Sequence, residues 1–150
     1  MEKQYKDIIE FAVDRELNAY DFYTGAQKRA RTSGAKSMLQ ELAAQELKHK
    51  QRLEALHLEE NVMLDLSKLD IEDYTDSESI ETDMQYHLEY QQILLIALRR
   101  EKSSVRLYTD IKSLMKEKEK QQLFEWLVKE EQSHYDRLQK EYDTYVLTEN

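Results

Sequence analysis

Shifted by 85 residues, the sequence falls onto itself. Ile8 lands on Ile93, Ala12 on Ala97, Arg15 on Arg100, Glu16 on Glu101 and Tyr23 on Tyr108. The register continues without a gap through Leu42 on Leu127, Glu46 on Glu131, His49 on His134, Arg52 on Arg137 and Leu53 on Leu138. The charged members share the offset (101 − 16, 131 − 46 and 134 − 49 each give 85). Such a repeat confines the fold to two copies of one unit, related by a pseudo-two-fold axis that sets equivalent positions face to face.

The unit is a helical hairpin. The chain has no Pro and only two Gly, and the helix formers Glu, Lys, Leu, Gln, Ala and Arg dominate it. Its 150 residues suffice for one domain with a hydrophobic core. A first helix is expected over about residues 3–31. There Ile8, Ile9, Phe11, Ala12, Glu16, Ala19, Tyr20, Tyr23 and Ala26 recur at three- and four-residue steps. Thr32-Ser33-Gly34 breaks the pattern and offers an N-cap. A second helix follows over about 35–58, with Met38, Leu39, Leu42, Ala43, Glu46, His49, Leu53 and Leu56 inward. Over about 59–86 the periodicity fades among aspartates and serines, which reads as a long crossover between two hairpins. The third helix, about 88–116, turns Ile93, Leu94, Ala97, Leu98, Glu101, Val105, Tyr108, Ile111 and Leu114 inward. The fourth, about 120–145, does so with Leu123, Phe124, Leu127, Glu131, His134, Leu138 and Tyr142, and 146–150 reads as a tail. The fold class is therefore all-α: a four-helix bundle of two repeated hairpins.

Within those apolar stripes stand Glu16, Glu46, Glu101 and Glu131, where a charge is costly unless something pairs with it. Glu46-Leu47-Lys48-His49 and Glu131-Gln132-Ser133-His134 each place a carboxylate and an imidazole one helical turn apart on one face. Dinuclear metal bundles use two such Glu-x-x-His helices and two helices giving one Glu each, and Glu16 and Glu101 complete that set. A single Glu three residues before a His is more often a surface pair. Duplication without metal would leave four buried carboxylates repelling one another. Four carboxylates balance two divalent ions, and this hard, oxygen-rich ligation with two nitrogens suits Fe(II) or Mn(II).

Composition excludes other classes. A net charge of −9 lacks the basic surface that nucleic-acid binding needs. Without Cys there is no disulfide, thiolate site or rubredoxin-type iron centre. The first residues lack the apolar run of a signal peptide, and the longest apolar stretch, Ile93 to Leu98, is too short to cross a bilayer. A cytoplasmic protein without membrane or nucleic-acid partners is expected.

At these residues the sequence resembles the rubrerythrin-like branch of the ferritin-like superfamily, over both hairpins but not the 59–86 connection. The resemblance implies that Glu16 and Glu101 are terminal carboxylates, one per iron. Glu46 and Glu131 would be the bridging carboxylates, and His49 and His134 the nitrogen ligands. Tyr23 and Tyr108, seven residues after Glu16 and Glu101, match the family's tyrosines beside the ligands, although an inward Tyr is commonly plain core. The implied cofactor is two iron ions (Fe2+/Fe3+), with manganese or adventitious zinc as substitutes. The implied activity is reduction of hydrogen peroxide or dioxygen with electrons from an external donor protein, rubredoxin-like or other. The alternative is a ferroxidase or iron-handling protein, and a dimanganese catalase is a weaker third reading.

Two departures bear on that activity. Rubrerythrin proper carries a further glutamate one turn after the third-helix ligand, which shifts an iron during turnover, and here that position is Ser104. Rubrerythrin also usually carries a rubredoxin domain, which a chain without Cys cannot supply. The expected chain also lacks the fifth helix of ferritin cage subunits, so a large storage shell is not expected. Remaining residues read blandly: His57 and His87 as solvated or capping groups, Tyr20 as core packing, Glu130 as surface and 116–120 as a solvated turn. Trp126 and Val146 are candidates for a homodimer face or the bundle edge.

Overall fold

A computed structural model describes residues 5–57, 74 and 89–149. Among these there are four long helices and no strand: α1 (Tyr5–Ala26), α2 (Ser33–His57), α3 (Tyr90–Leu114) and α4 (Lys118–Glu149). The expected crossover over 59–86 lies outside the described residues except for Tyr74, as do His87 and residues 1–4.

The helix ends follow local chemistry. α1 stops at Ala26, earlier than the periodicity suggested, because Gln27–Arg29 tighten into a 3-10 turn. Ala30 is then extended. Thr32 caps α2, its Oγ1 accepting from the Ala35 backbone N–H at 3.0 Å. α3 opens with a capping box, in which the Glu89 backbone N–H donates to Gln92 Oε1 at 3.0 Å. Between α3 and α4 the turn is shorter than expected. Met115 N–H donates to the Lys112 carbonyl, and Gln121 Nε2 reaches back to the Met115 carbonyl at 2.7 Å. Lys120, expected in a solvated turn, is buried inside α4, its Nζ 2.5 Å from Glu117 Oε2. Residues 146–149, expected as a tail, continue α4. Tyr145, one residue earlier, packs edge-on against Tyr90 at 5.1 Å, and Glu141 accepts from the Tyr90 hydroxyl at 3.0 Å.

Each hairpin packs along its own length, and the two close on each other within one chain. Residue numbers rise on α1 as they fall on α3: Tyr23 meets Glu101 while Glu16 meets Tyr108. The same holds for α2 and α4, where Glu41 meets Arg137 and His49 meets Glu131. Both pairs that join the hairpins are antiparallel.

The core is split in two. One apolar cluster holds Tyr23, Leu42, Ile93, Ala97 and Leu138, and the other Ile8, Ala12, Leu53, Tyr108 and Leu127. The 85-residue offset exchanges them: Ile8 with Ile93, Leu42 with Leu127, Leu53 with Leu138. The pseudo-two-fold axis therefore passes between the clusters. On every helix the charged residues of the stripe fall between the two apolar blocks.

Candidate metal centre

In that middle layer α1 supplies Glu16, α2 Glu46 and His49, α3 Glu101, and α4 Glu131 and His134. None is more than 2 % exposed. The six side chains singled out in the sequence thus all meet, because each apolar stripe that carries them packs against the other three.

The contacts cross between the hairpins. His49 Nδ1 lies 2.7 Å from Glu131 Oε1, 3.4 Å from Glu46 Oε1 and 3.6 Å from Glu16 Oε2. His134 Nδ1 lies 2.9 Å from Glu46 Oε1, 3.6 Å from Glu101 Oε1 and 3.9 Å from Glu131 Oε2. The two imidazoles stack with ring centres 5.6 Å apart. Two four-residue groups result, each with one donor atom per residue lying within 4.8 Å of the others. Glu16, Glu46, His49 and Glu131 form one, and Glu46, Glu101, Glu131 and His134 the other. Glu46 and Glu131 belong to both, so they stand where a bridging carboxylate would.

The tyrosines flank this layer and reach across it. The Tyr23 hydroxyl on α1 donates to Glu101 Oε1 on α3 at 2.5 Å, and the Tyr108 hydroxyl on α3 donates to Glu16 Oε1 on α1 at 2.5 Å. Burial, then the nearby carboxylates, raise both phenols well above their ordinary value, so they stay protonated donors.

Metal-free, the layer is held together by protons. Burial, then the charges of neighbouring carboxylates, push Glu46 and Glu131 up. Glu101 is held low: burial pushes it up, but hydrogen bonds with Glu131, His134 and Tyr23 outweigh that. Burial opposes charge on His49 and His134 as well, yet their carboxylate partners raise both. The repulsion expected among four buried carboxylates is therefore eased by protons on the two imidazoles and on Glu46 and Glu131.

A metal pair fits this donor set. Glu16 Oε2, Glu46 Oε1, Glu101 Oε2, Glu131 Oε2 and His134 Nδ1 are buried and, close as they lie to one another, none makes a hydrogen bond of proper geometry. Unsatisfied buried acceptors of this number are uncommon and call for an explanation. Carboxylate oxygens with one imidazole nitrogen per group match a hard divalent ion.

Around the six lies a further layer that the sequence reading missed. Gln45 Oε1 accepts from His134 Nε2–H at 2.6 Å, and Glu130 Oε1 lies 3.7 Å from His49 Nε2. Glu130, expected at the surface, is thus half-buried beside a histidine of the cluster. The repeat held the signal, since each stands one residue before a glutamate of the cluster. Arg15, next to Glu16, donates from Nη2 to Ser104 Oγ at 3.1 Å and also bonds the Tyr74 carbonyl. Trp126 sits at the bundle edge, its ring edge-on to His49 at 5.2 Å. Tyr20 is half-buried against the first cluster. His57 is the last residue of α2.

Comparison with known proteins agrees with this architecture. The family model for rubrerythrin matches residues 7–142. A Thermotoga maritima crystal structure, described provisionally as a ferritin-like diiron-carboxylate protein, superposes with a TM-score of 0.75 at 22% identity. The match covers 94% of this chain and 95% of that one. A hypothetical protein from Pyrococcus furiosus superposes with a TM-score of 0.71 at 20% identity, over 93% of this chain and 89% of the other. A search of curated proteins gives no significant match.

Proposed function

The chain belongs to the rubrerythrin family, and on that premise we propose that it is a non-haem di-iron carboxylate oxidoreductase. In this reading it reduces hydrogen peroxide or dioxygen with electrons from an external donor protein. One observation carries the proposal: Glu46 and Glu131 are each shared by two buried groups that also contain one further carboxylate and one imidazole.

When bound, two iron ions supply the two-electron reduction of peroxide or dioxygen. The chain does the rest. Glu16 and Glu101 would each hold one ion terminally, Glu46 and Glu131 would join the pair, and His49 and His134 would ligate through Nδ1. Tyr23 and Tyr108 fix the terminal carboxylates through their hydroxyls, so those ligands need little reordering when metal arrives. The two apolar clusters exclude water on either side, which strengthens every charge interaction between them.

A second reading, a ferroxidase or iron-handling protein, is favoured by Ser104. Its hydroxyl is held by Arg15, so the turn after Glu101 offers no carboxylate to exchange with His134 or Glu101. The two readings separate in stopped-flow experiments on protein loaded anaerobically with two Fe(II). Multiple turnovers with peroxide and a reductant support the oxidoreductase. A single stoichiometric burst, preferring dioxygen and followed by iron release, supports iron handling. The homodimer also belongs to this proposal, and sedimentation equilibrium tests it.

A further inference from the structure

The six ligands obey the pseudo-two-fold axis, but the residues behind them do not. Gln45 and Glu130 are equivalent (130 − 45 gives 85), and so are Glu41 and Trp126 (126 − 41 gives 85). Behind His134, the neutral amide of Gln45 accepts from Nε2–H at 2.6 Å, and Arg137 pairs with Glu41 at 2.8 Å. Behind His49, the Glu130 carboxylate lies 3.7 Å from Nε2. Trp126 stands edge-on to that ring, with the Arg52 guanidinium 4.2 Å from the indole centre. Arg52 and Arg137 are themselves equivalent, so one arginine covers an indole and its twin covers a carboxylate. His49 Nε2 is buried and makes no hydrogen bond, so the Glu130 carboxylate acts on it through charge, at 3.7 Å.

From this broken symmetry we infer that the two metal positions are unequal, and that the one served by His49 fills first and holds its ion more tightly. The inference rests on the dinuclear reading of the site. A ligating imidazole whose outer N–H faces a carboxylate is a more basic donor than one whose outer N–H faces an amide. Glu130 and Gln45 are thus positioning residues for a metal they do not touch.

The test is anaerobic Co(II) titration of the full chain, followed by calorimetry and by the emission of the single tryptophan, Trp126. The native chain is expected to bind two ions in two resolved steps, with most of the Trp126 quenching in the first. Glu130→Gln makes both histidines amide-backed, and should weaken the first step by about tenfold while spreading the quenching over both equivalents. Gln45→Glu makes both carboxylate-backed and should instead strengthen the second step. Both exchanges are nearly isosteric and half-buried, so folding is preserved. Two ions bound with steps that neither substitution alters would overturn the inference and leave the dinuclear site standing. Fewer than two ions in the native chain would overturn the site itself.

Discussion

Tyr23 and Tyr108 show what one residue can do here. Each hydroxyl donates a hydrogen bond to the opposite hairpin, Tyr23 to Glu101 and Tyr108 to Glu16. Tyr23→Phe and Tyr108→Phe should each weaken divalent-metal binding by about tenfold, measured by competition with a chelator. Their aromatic rings stay, so the metal-free unfolding midpoint should move little. Protons give a second prediction at this scale. Glu46, Glu131, His49 and His134 are all raised in the folded chain. Their contribution to the metal-free fold is complete below the ordinary values of 4.5 for Glu and 6.5 for His. It is lost as the pH rises through the raised folded values. Glu101, held low, acts in the other direction, and its share disappears only below 4.5. Metal-free protein should therefore melt at progressively lower temperature as the pH rises above the ordinary Glu value of 4.5. Divalent metal displaces those protons, so its binding should strengthen over the same range and acidify an unbuffered solution. A flat melting profile would contradict the proton-held layer.

At the scale of the element, the start of α2 decides how the first hairpin closes. Thr32→Ala removes the side-chain acceptor for the Ala35 N–H and should cost about 1 kcal/mol in urea unfolding. Gly34 lies in the first turn of that helix, its φ is not positive, and a methyl group there meets nothing within 4 Å. Gly34→Ala should then add about 0.4–1 kcal/mol by reducing the freedom of the unfolded chain. Helix interiors were legible in the sequence because burial recurs at the helical period, and ends were less so. α4 runs through residues 146–149, past Tyr145 with its aromatic contact to the start of α3, a neighbour remote in sequence. Lys120 was misread for a similar reason: charge alone suggests water, yet its ammonium reaches Glu117 while its stem packs inside.

For the whole molecule, the middle layer couples metal to stability. On the proposed function two ions bind the folded chain alone, so removing them with a chelator should lower the melting midpoint. Each site contributes about 2.7 kcal/mol when free metal stands a hundredfold above its dissociation constant. The repeat adds a second expectation. Leu42 and Leu127 are equivalent, fully buried and in different clusters. Leu42→Ala and Leu127→Ala should each cost about 2–5 kcal/mol in denaturant unfolding, and by similar amounts, if the two halves are equally well packed.

The sequence by itself determined the four helices, their inward faces and the six polar residues on them, because helical period and an 85-residue repeat are written along the chain. What it could not carry was distance between helices. That Glu131 meets His49 rather than its own His134 most closely was decided by packing. So were the reach of each tyrosine to the opposite hairpin and the placing of Glu130 and Gln45 behind different imidazoles. Periodicity says which way a side chain faces. Only the closed bundle says what it finds there.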